Sequence, residues 1–222
     1  QYQTDFGGTQ HSLDILAGYE QYKLKSQSLS GENDHLFDPN IGELNNADGH
    51  KSENAYSSTN SYMTEGFLSR IQYDYAGKYF LSASYRRDAS SRFAKGHRWG
   101  NFGSLGAAWL MSEEPFLMNV DQIDMLKLKV SYGVQGNDNL GSYYPYSDQY
   151  NHSYNEETGQ YSITLTYKGN ENLTWETSKS FNVGVDFGFF NGLLNGTFEV
   201  FARKTEDLLY SKDVPLSSGN PT

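Results

Sequence analysis

Apolar and polar side chains alternate with a period of two along most of the chain. Phe181, Val183, Val185, Phe187 and Phe189 interleave with Ser180, Asn182, Gly184, Asp186 and Gly188. Leu126, Leu128, Val130 and Tyr132 interleave with Lys127, Lys129, Ser131 and Gly133. The same pattern runs through residues 65–76, 78–88, 193–210 and 11–24, and in smaller residues through Leu105, Ala107 and Trp109. Successive side chains of a strand point to opposite faces, so each run predicts a strand with one apolar and one polar face.

The links between these runs alternate in length. Ala76-Gly77-Lys78 and Phe190-Asn191-Gly192 are tight turns, and Ser112 to Asp121 is a short link. The stretches 25–61, 88–98 and 136–173 are longer and polar, and are expected to be loops at the opposite end. Strands of about ten residues with short turns at one end and long loops at the other fit a transmembrane β-barrel. Only helices and closed barrels satisfy their backbone hydrogen bonds inside lipid. Tyr73, Tyr75, Tyr79, Trp109, Phe116, Phe187, Phe189 and Phe190 cluster near the short links, as an interfacial girdle would. Tyr19, Tyr22, Tyr132, Trp175 and Tyr210 are assigned to the other rim. A soluble antiparallel β-sandwich would show the same alternation. Its strands usually run only about 5–6 residues.

Composition sharpens this. The 222 residues hold 18 Tyr, 13 Phe and 22 Gly, yet mean hydropathy is −0.70. Half-polar strands and polar loops reconcile the two. The net charge of −10 argues against a nucleic-acid partner, whose binding rests on phosphate neutralisation. The lack of cysteine excludes disulfide, thiol and Cys-metal chemistry. Disorder is poor in aromatic residues, so this chain is expected to fold.

Several stretches resemble the SusC/RagA family of TonB-dependent outer-membrane transporters of Bacteroidetes. One runs Ser69-Arg70-Ile71-Gln72-Tyr73-Asp74-Tyr75-Ala76-Gly77-Lys78-Tyr79-Phe80-Leu81-Ser82-Ala83-Ser84 and continues as Tyr85-Arg86-Arg87-Asp88-Ala89-Ser90-Ser91-Arg92-Phe93, with Ala89 where the family usually has Gly. Others are Asn101 to Trp109 with Ser112-Glu113-Glu114-Pro115-Phe116, Leu126 to Asn137, Asn172 to Thr177 with Asn182 to Asn191, and Lys204 to Leu209. Gly103 stands where the family usually has Pro. Residues 1–60 resemble the family less, apart from Leu16-Ala17-Gly18-Tyr19-Glu20. The resemblance implies an all-β fold: an antiparallel transmembrane barrel segment of about seven or eight strands, from a plugged barrel of about 22 strands. No plug-domain or TonB-box motif is visible in residues 1–222. The resemblance also implies oligosaccharide or peptide import across a bacterial outer membrane. Its implied partners are outer-membrane lipid, a SusD-like surface lipoprotein, and the TonB complex acting through an N-terminal part.

No catalytic site, metal site or cofactor is expected. Glu113-Glu114 and Glu156-Glu157 are neighbours whose side chains diverge, a poor geometry for acid–base work. The five histidines lack metal-ligand spacing, and Asp138 sits in Asn- and Gly-rich turn chemistry without a calcium-loop Glu. Arg86, Arg87, Asp88, Arg92 and Arg98 form a charged cluster, read either as lumen-facing ion pairs or as a site for anionic lipid or substrate. Substrate-binding candidates are Tyr143, Tyr144, Tyr146 and Tyr150 in the long Tyr-rich loop, with Arg92 and Trp99 at the 88–98 loop. Tyrosine faces stack on sugars or pack on peptides, and outer loops carry function. A soluble β-sandwich module binding carbohydrate through the same loops is the alternative.

Overall fold

A computed structural model describes residues 2–6, 10–33, 36–47 and 55–212. Ten strands form: β1 (Tyr2–Phe6), β2 (His11–Ser30), β3 (Tyr56–Tyr75), β4 (Tyr79–Ser90), β5 (Trp99–Leu110), β6 (Ile123–Asn137), β7 (Gln149–Asn155), β8 (Gln160–Tyr167), β9 (Glu176–Phe189) and β10 (Leu194–Glu206). Eight of them make one antiparallel sheet in the order β1-β2-β3-β4-β5-β6-β9-β10. The other two, β7 and β8, pair as a separate hairpin within the β6–β9 connection. The large sheet is a single open layer. Among the described residues β1 and β10 are its edges, and no second sheet covers either face.

The registers show how the alternation becomes two surfaces. Ile15, Ile71, Ala83, Leu105, Tyr132, Phe181 and Ala202 are cross-strand partners in one unbroken row. The row beside it, toward the tight turns, holds Leu13, Tyr73, Leu81, Ala107, Val130, Val183 and Val200. Shifting any strand by one residue would turn its apolar set to the other face. On the reverse face, Asp14, Gln72, Ser82, Gly106, Ser131 and Asn182 form the matching polar row. Ion pairs line that inner face: Lys129 to Asp186 at 2.7 Å, Arg86 to Asp88 at 2.7 Å and Arg86 to Glu20 at 3.1 Å. The apolar face is uncovered, with Leu105 64% and Leu81 54% exposed. A soluble sandwich would bury these residues against a second sheet. A barrel wall presents them to lipid.

The two tight turns require left-handed backbone. Ala76 and Gly77 have φ of 56° and 67°, and Asp74 Oδ1 accepts the Gly77 N–H at 2.9 Å. Phe190, Asn191 and Gly192 have φ of 59°, 55° and 80°, and the Asp124 carboxylate accepts the N–H groups of Asn191 and Gly192 at 3.1 and 2.8 Å. Above these turns lies the aromatic girdle. Tyr79 stacks on Trp109 with centroids 6.2 Å apart, and Trp109 meets Phe116 edge-on. Tyr79 Oη and Trp109 Nε1 both donate to Glu114 Oε1, at 2.6 and 3.1 Å. These donors hold the Glu114 carboxyl below its ordinary range. Tyr79 and Trp109 thus keep their apolar bodies on the outward face and their polar tips at the turn end.

The other end departs from expectation in three respects. β2 continues to Ser30 and β3 begins at Tyr56, so the predicted 25–61 loop is shorter at both ends. The paired ribbon rises about 35 Å past Tyr19, at about 3.3 Å per residue. Its outer rungs carry polar residues on both faces, such as Ser28 opposite Ser58 and Gln27 opposite Thr59. That leaves no alternation to read. The 136–173 stretch contains the β7–β8 hairpin. Trp175, expected at the membrane rim, is instead buried.

Candidate functional site

The loops at the long end divide into a packed knot and a projecting ribbon. The knot lies over the inner face. Phe102 points inward from β5 across a gap left by two glycines: a Cβ on Gly136 would come within 2.1 Å of its ring, and one on Gly100 within 2.4 Å. Phe93, on the β4–β5 loop, and Trp175, just before β9, close over it; Phe93 is fully buried. Trp175 packs edge-on against Phe102 at 5.2 Å and tilted against Phe93 at 5.4 Å. Its Nε1 donates to the Arg98 carbonyl at 2.8 Å, and Arg98 Nε donates to the Phe93 carbonyl at 3.1 Å.

Polar bonds knit the same region. Asp138 Oδ2 accepts from Ser90 Oγ at 2.6 Å and from Tyr62 Oη at 2.8 Å. Arg92 Nη1 reaches Asp138 Oδ1 at 3.4 Å, the Asp138 carbonyl at 3.2 Å and Asn139 Oδ1 at 3.1 Å. The Arg92 guanidinium also lies 4.5 Å above the Tyr62 ring. Tyr62 sits beyond the apolar band. Desolvation, then the bond to Asp138, pushes its hydroxyl up to about 12. One carboxylate thereby ties β3, the β4–β5 loop and the β6–β7 connection together.

The ribbon, β7–β8, has two unlike faces. Tyr150 pairs with Leu165, His152 with Ile163 and Tyr154 with Tyr161 on one side. Asn151, Ser153 and Asn155 pair with Thr164, Ser162 and Gln160 on the other. Tyr154 and Tyr161 have centroids 4.8 Å apart. The aromatic side is open to solvent, with Ile163 74% and Tyr161 75% exposed. The ribbon is fixed at its base, where Lys168 Nζ and the Gly169 N–H donate to Asp148 at 2.8 and 2.9 Å. Those donors hold the Asp148 carboxyl below its ordinary range.

The six candidate residues separate accordingly. Arg92 is committed to Asp138 inside the knot. Tyr143 and Tyr144 are half-buried neighbours, and Tyr144 Oη accepts the Ser61 N–H at 3.0 Å, pinning the loop to β3. Tyr146 is half-buried beside the buried Pro145. Tyr150 stands on the open face of the ribbon. Trp99 lies on the outward face of β5, stacked on Phe67 with Arg87 5.0 Å above its ring. The charged cluster likewise divides by strand parity. Arg86 and Asp88 face inward and Arg87 outward. Sequence reasoning missed the roles of Tyr62, Ser90 and Asp138, because nothing local marks a contact made 48 or 76 residues away. It also passed over Ile163 and Leu165, although weak alternation in 149–155 and 160–167 carries a strand signal.

Comparison with known proteins matches residues 1–222, the whole chain, to the TonB dependent receptor-like, beta-barrel family. The chain belongs to that family. It is 32% identical over 218 residues to TonB-dependent receptor SusC of Bacteroides thetaiotaomicron, covering 94% of this chain and 21% of that protein. It is 36% identical over 161 residues to TonB-dependent receptor P39 of Formosa agariphila, covering 72% and 15%. Among solved structures, the RagAB peptide transporter superposes with a TM-score of 0.84 at 26% identity, over 98% of this chain and 24% of that one. The RagAB peptide importer in its closed-closed state gives a TM-score of 0.88 at 25% identity, over 98% and 24%. The chain thus spans about a fifth of the curated relatives it matches. Within a TonB-dependent receptor barrel, the apolar face is the lipid side of the wall, the polar face lines the lumen, and the knot overlies the lumen side. The family is one of transporters rather than enzymes.

Proposed function

We propose that this chain forms part of the wall and outer loops of an outer-membrane transporter that takes up oligosaccharides or peptides. The observation that carries the reading is a single sheet with an uncovered apolar face and an ion-paired polar face, in a chain matching the barrel family throughout. Lipid contact on one side and a wet lumen on the other is the arrangement a spanning β-sheet requires. The knot holds the outer end of the wall in a fixed shape, and the β7–β8 ribbon offers its aromatic face to cargo. Tyr150, Tyr154 and Tyr161 form a platform on which a sugar ring stacks or an apolar peptide side chain packs. A SusD-like surface lipoprotein would meet the same end, and the TonB complex would supply energy through the longer protein. No step of this function requires covalent chemistry.

The test uses the full-length transporter in its native host. The protein should fractionate with detergent-extracted envelope, and its deletion should abolish growth on one class of oligosaccharide or peptide. Replacing Tyr150, Tyr154 and Tyr161 by Ser should reduce uptake at least tenfold while envelope levels stay normal. Recovery as a soluble monomer, or unchanged uptake in the triple variant, would overturn the wall reading and the platform reading respectively.

A further inference from the structure

The outward face carries an unexpected asymmetry of charge. Beyond the apolar band on the long-loop side, the outward positions of β2, β3, β4, β9 and β10 include Lys23, Lys25, Arg87, Lys179 and Lys204 against Glu65 and Glu206. At the tight-turn end, residues 76–78, 111–124 and 190–193 hold one base, Lys78, and four acids, Glu113, Glu114, Asp121 and Asp124. A chain of net charge −10 has therefore placed a basic belt at one end of its lipid face.

Two parts of that belt flank an apolar trough. The trough, of about 580 Å³, lies over the small side chains of Ala83 and Ala107 between Ile71 and Leu81 on one flank and Tyr132 and Phe181 on the other. One outward step above Phe181 stands Lys179, which shares the Glu206 carboxylate with Lys204. Two ammonium groups on one carboxylate leave a net positive charge, and Lys204 is 75% exposed. On the other flank, two steps above Ala83, Arg87 lies over Trp99 at 5.0 Å and has no carboxylate partner among the described residues. β4 and β9 are three strand spacings apart, about 14 Å at about 4.8 Å per spacing.

We propose that this face binds a phosphorylated glycolipid of the outer leaflet. Its acyl chains fill the trough, and its phosphates pair with Arg87 on one flank and with Lys179 and Lys204 on the other. Guanidinium and ammonium groups at the end of an apolar surface donate to phosphate oxygens while their stems stay on the hydrocarbon. The unpaired Arg87 and the half-neutralised lysine pair are charges left for such a partner. The inference rests on the membrane-wall reading above, and adds a specific lipid to it.

The full-length transporter, purified in mild detergent, would be examined by native mass spectrometry with three probes: bisphosphorylated lipid A, the same lipid after phosphatase treatment, and inorganic phosphate. Lipid A should be retained, the dephosphorylated lipid at least tenfold more weakly, and inorganic phosphate not at all. The triple variant R87Q/K179Q/K204Q should lose lipid A at least tenfold while still inserting into the envelope. Equal retention of both lipids by the unaltered protein would overturn the proposal without any variant. So would retention of free phosphate alone, or unchanged binding by the triple variant. Envelope fractionation run alongside separates these outcomes from failure of the wall reading itself, which would put the unaltered protein in the soluble fraction.

Discussion

The knot and the ribbon sit at the same end of the sheet and both rest on aromatic residues, yet they are made in opposite ways. In the knot, Phe93, Phe102 and Trp175 exclude water, and Asp138 gathers Tyr62, Ser90 and Arg92. In the ribbon, Tyr150, Tyr154 and Tyr161 contact solvent, and order comes from backbone pairing and one anchored base. Aromatic residues alone therefore do not mark a recognition surface. Exposure separates the two sets: the knot rings are buried, whereas the ribbon rings keep open faces even though Tyr150 Oη donates to Asp148 Oδ2 at 3.4 Å and Tyr154 meets Tyr161.

The largest effect should come from Phe93→Ala. Removing a fully buried aromatic ring typically costs about 3–5 kcal/mol, and here the cavity would open between Phe102 and Trp175. Hydrogen exchange in residues 91–98 and 138–148 should rise sharply, while the paired wall below keeps its protection. Tyr161→Ala on the ribbon should leave both unchanged and act on cargo uptake alone. Equal effects of the two substitutions on loop protection would erase the distinction between the regions.

Asp138→Asn comes next. The neutral amide keeps one acceptor oxygen, replaces the other with an NH2 donor and no longer balances Arg92, whose side chain is only 15% exposed. Disrupting a largely buried charge pair costs about 2–4 kcal/mol. Limited proteolysis should cut the β4–β5 loop faster, and the β7–β8 ribbon should be no more sensitive than before.

The split between these two regions was the least legible part of the sequence. The wall was readable because rows such as Ile15, Ile71, Ala83, Leu105 and Tyr132 repeat one local rule, alternation, strand after strand. The outer rungs of β2 and β3 escaped because Ser28, Ser58, Gln27 and Thr59 face water on both sides and need no alternation. Trp175 and Asp138 escaped for a different reason. An interfacial Trp and a core Trp are the same residue, and the partners that decide between them lie 77 residues away at Arg98 and 82 at Phe93. Among the candidate site residues, composition pointed only to a Tyr-rich loop. It had no means of separating Tyr144, half-buried and bonded to Ser61, from Tyr150, whose ring is exposed although its hydroxyl reaches Asp148 at 3.4 Å.

A pH titration sharpens the comparison further. The Tyr62 hydroxyl is raised from 10.0 to about 12, so its bonding to the knot is fully present below pH 10 and is lost as pH rises through about 12. Loop 91–98 should loosen across that window, read by protease sensitivity, and Tyr62→Phe should remove that component of the pH dependence. The ribbon tyrosines have no carboxylate partner in the knot, so their replacement by Phe should leave the loop's pH response untouched.

The smallest effect belongs to the ribbon base. Asp148 accepts from Lys168 and from the Gly169 N–H, and its carboxyl is held below the ordinary value of 3.8. A depressed carboxyl contributes order above its unfolded pKa and loses it as pH falls through the folded one. The base should therefore hold at neutral pH and through mild acid, and loosen only when the pH drops below the usual carboxylate range. Asp148→Asn should reproduce that loosening at neutral pH, as faster exchange confined to 149–167. Pair and ribbon are both solvent-exposed, so screening keeps the effect local. Spread of the change into 91–98 would show that ribbon and knot move as one body, and the aromatic face would then owe its position to the knot rather than to its own two strands.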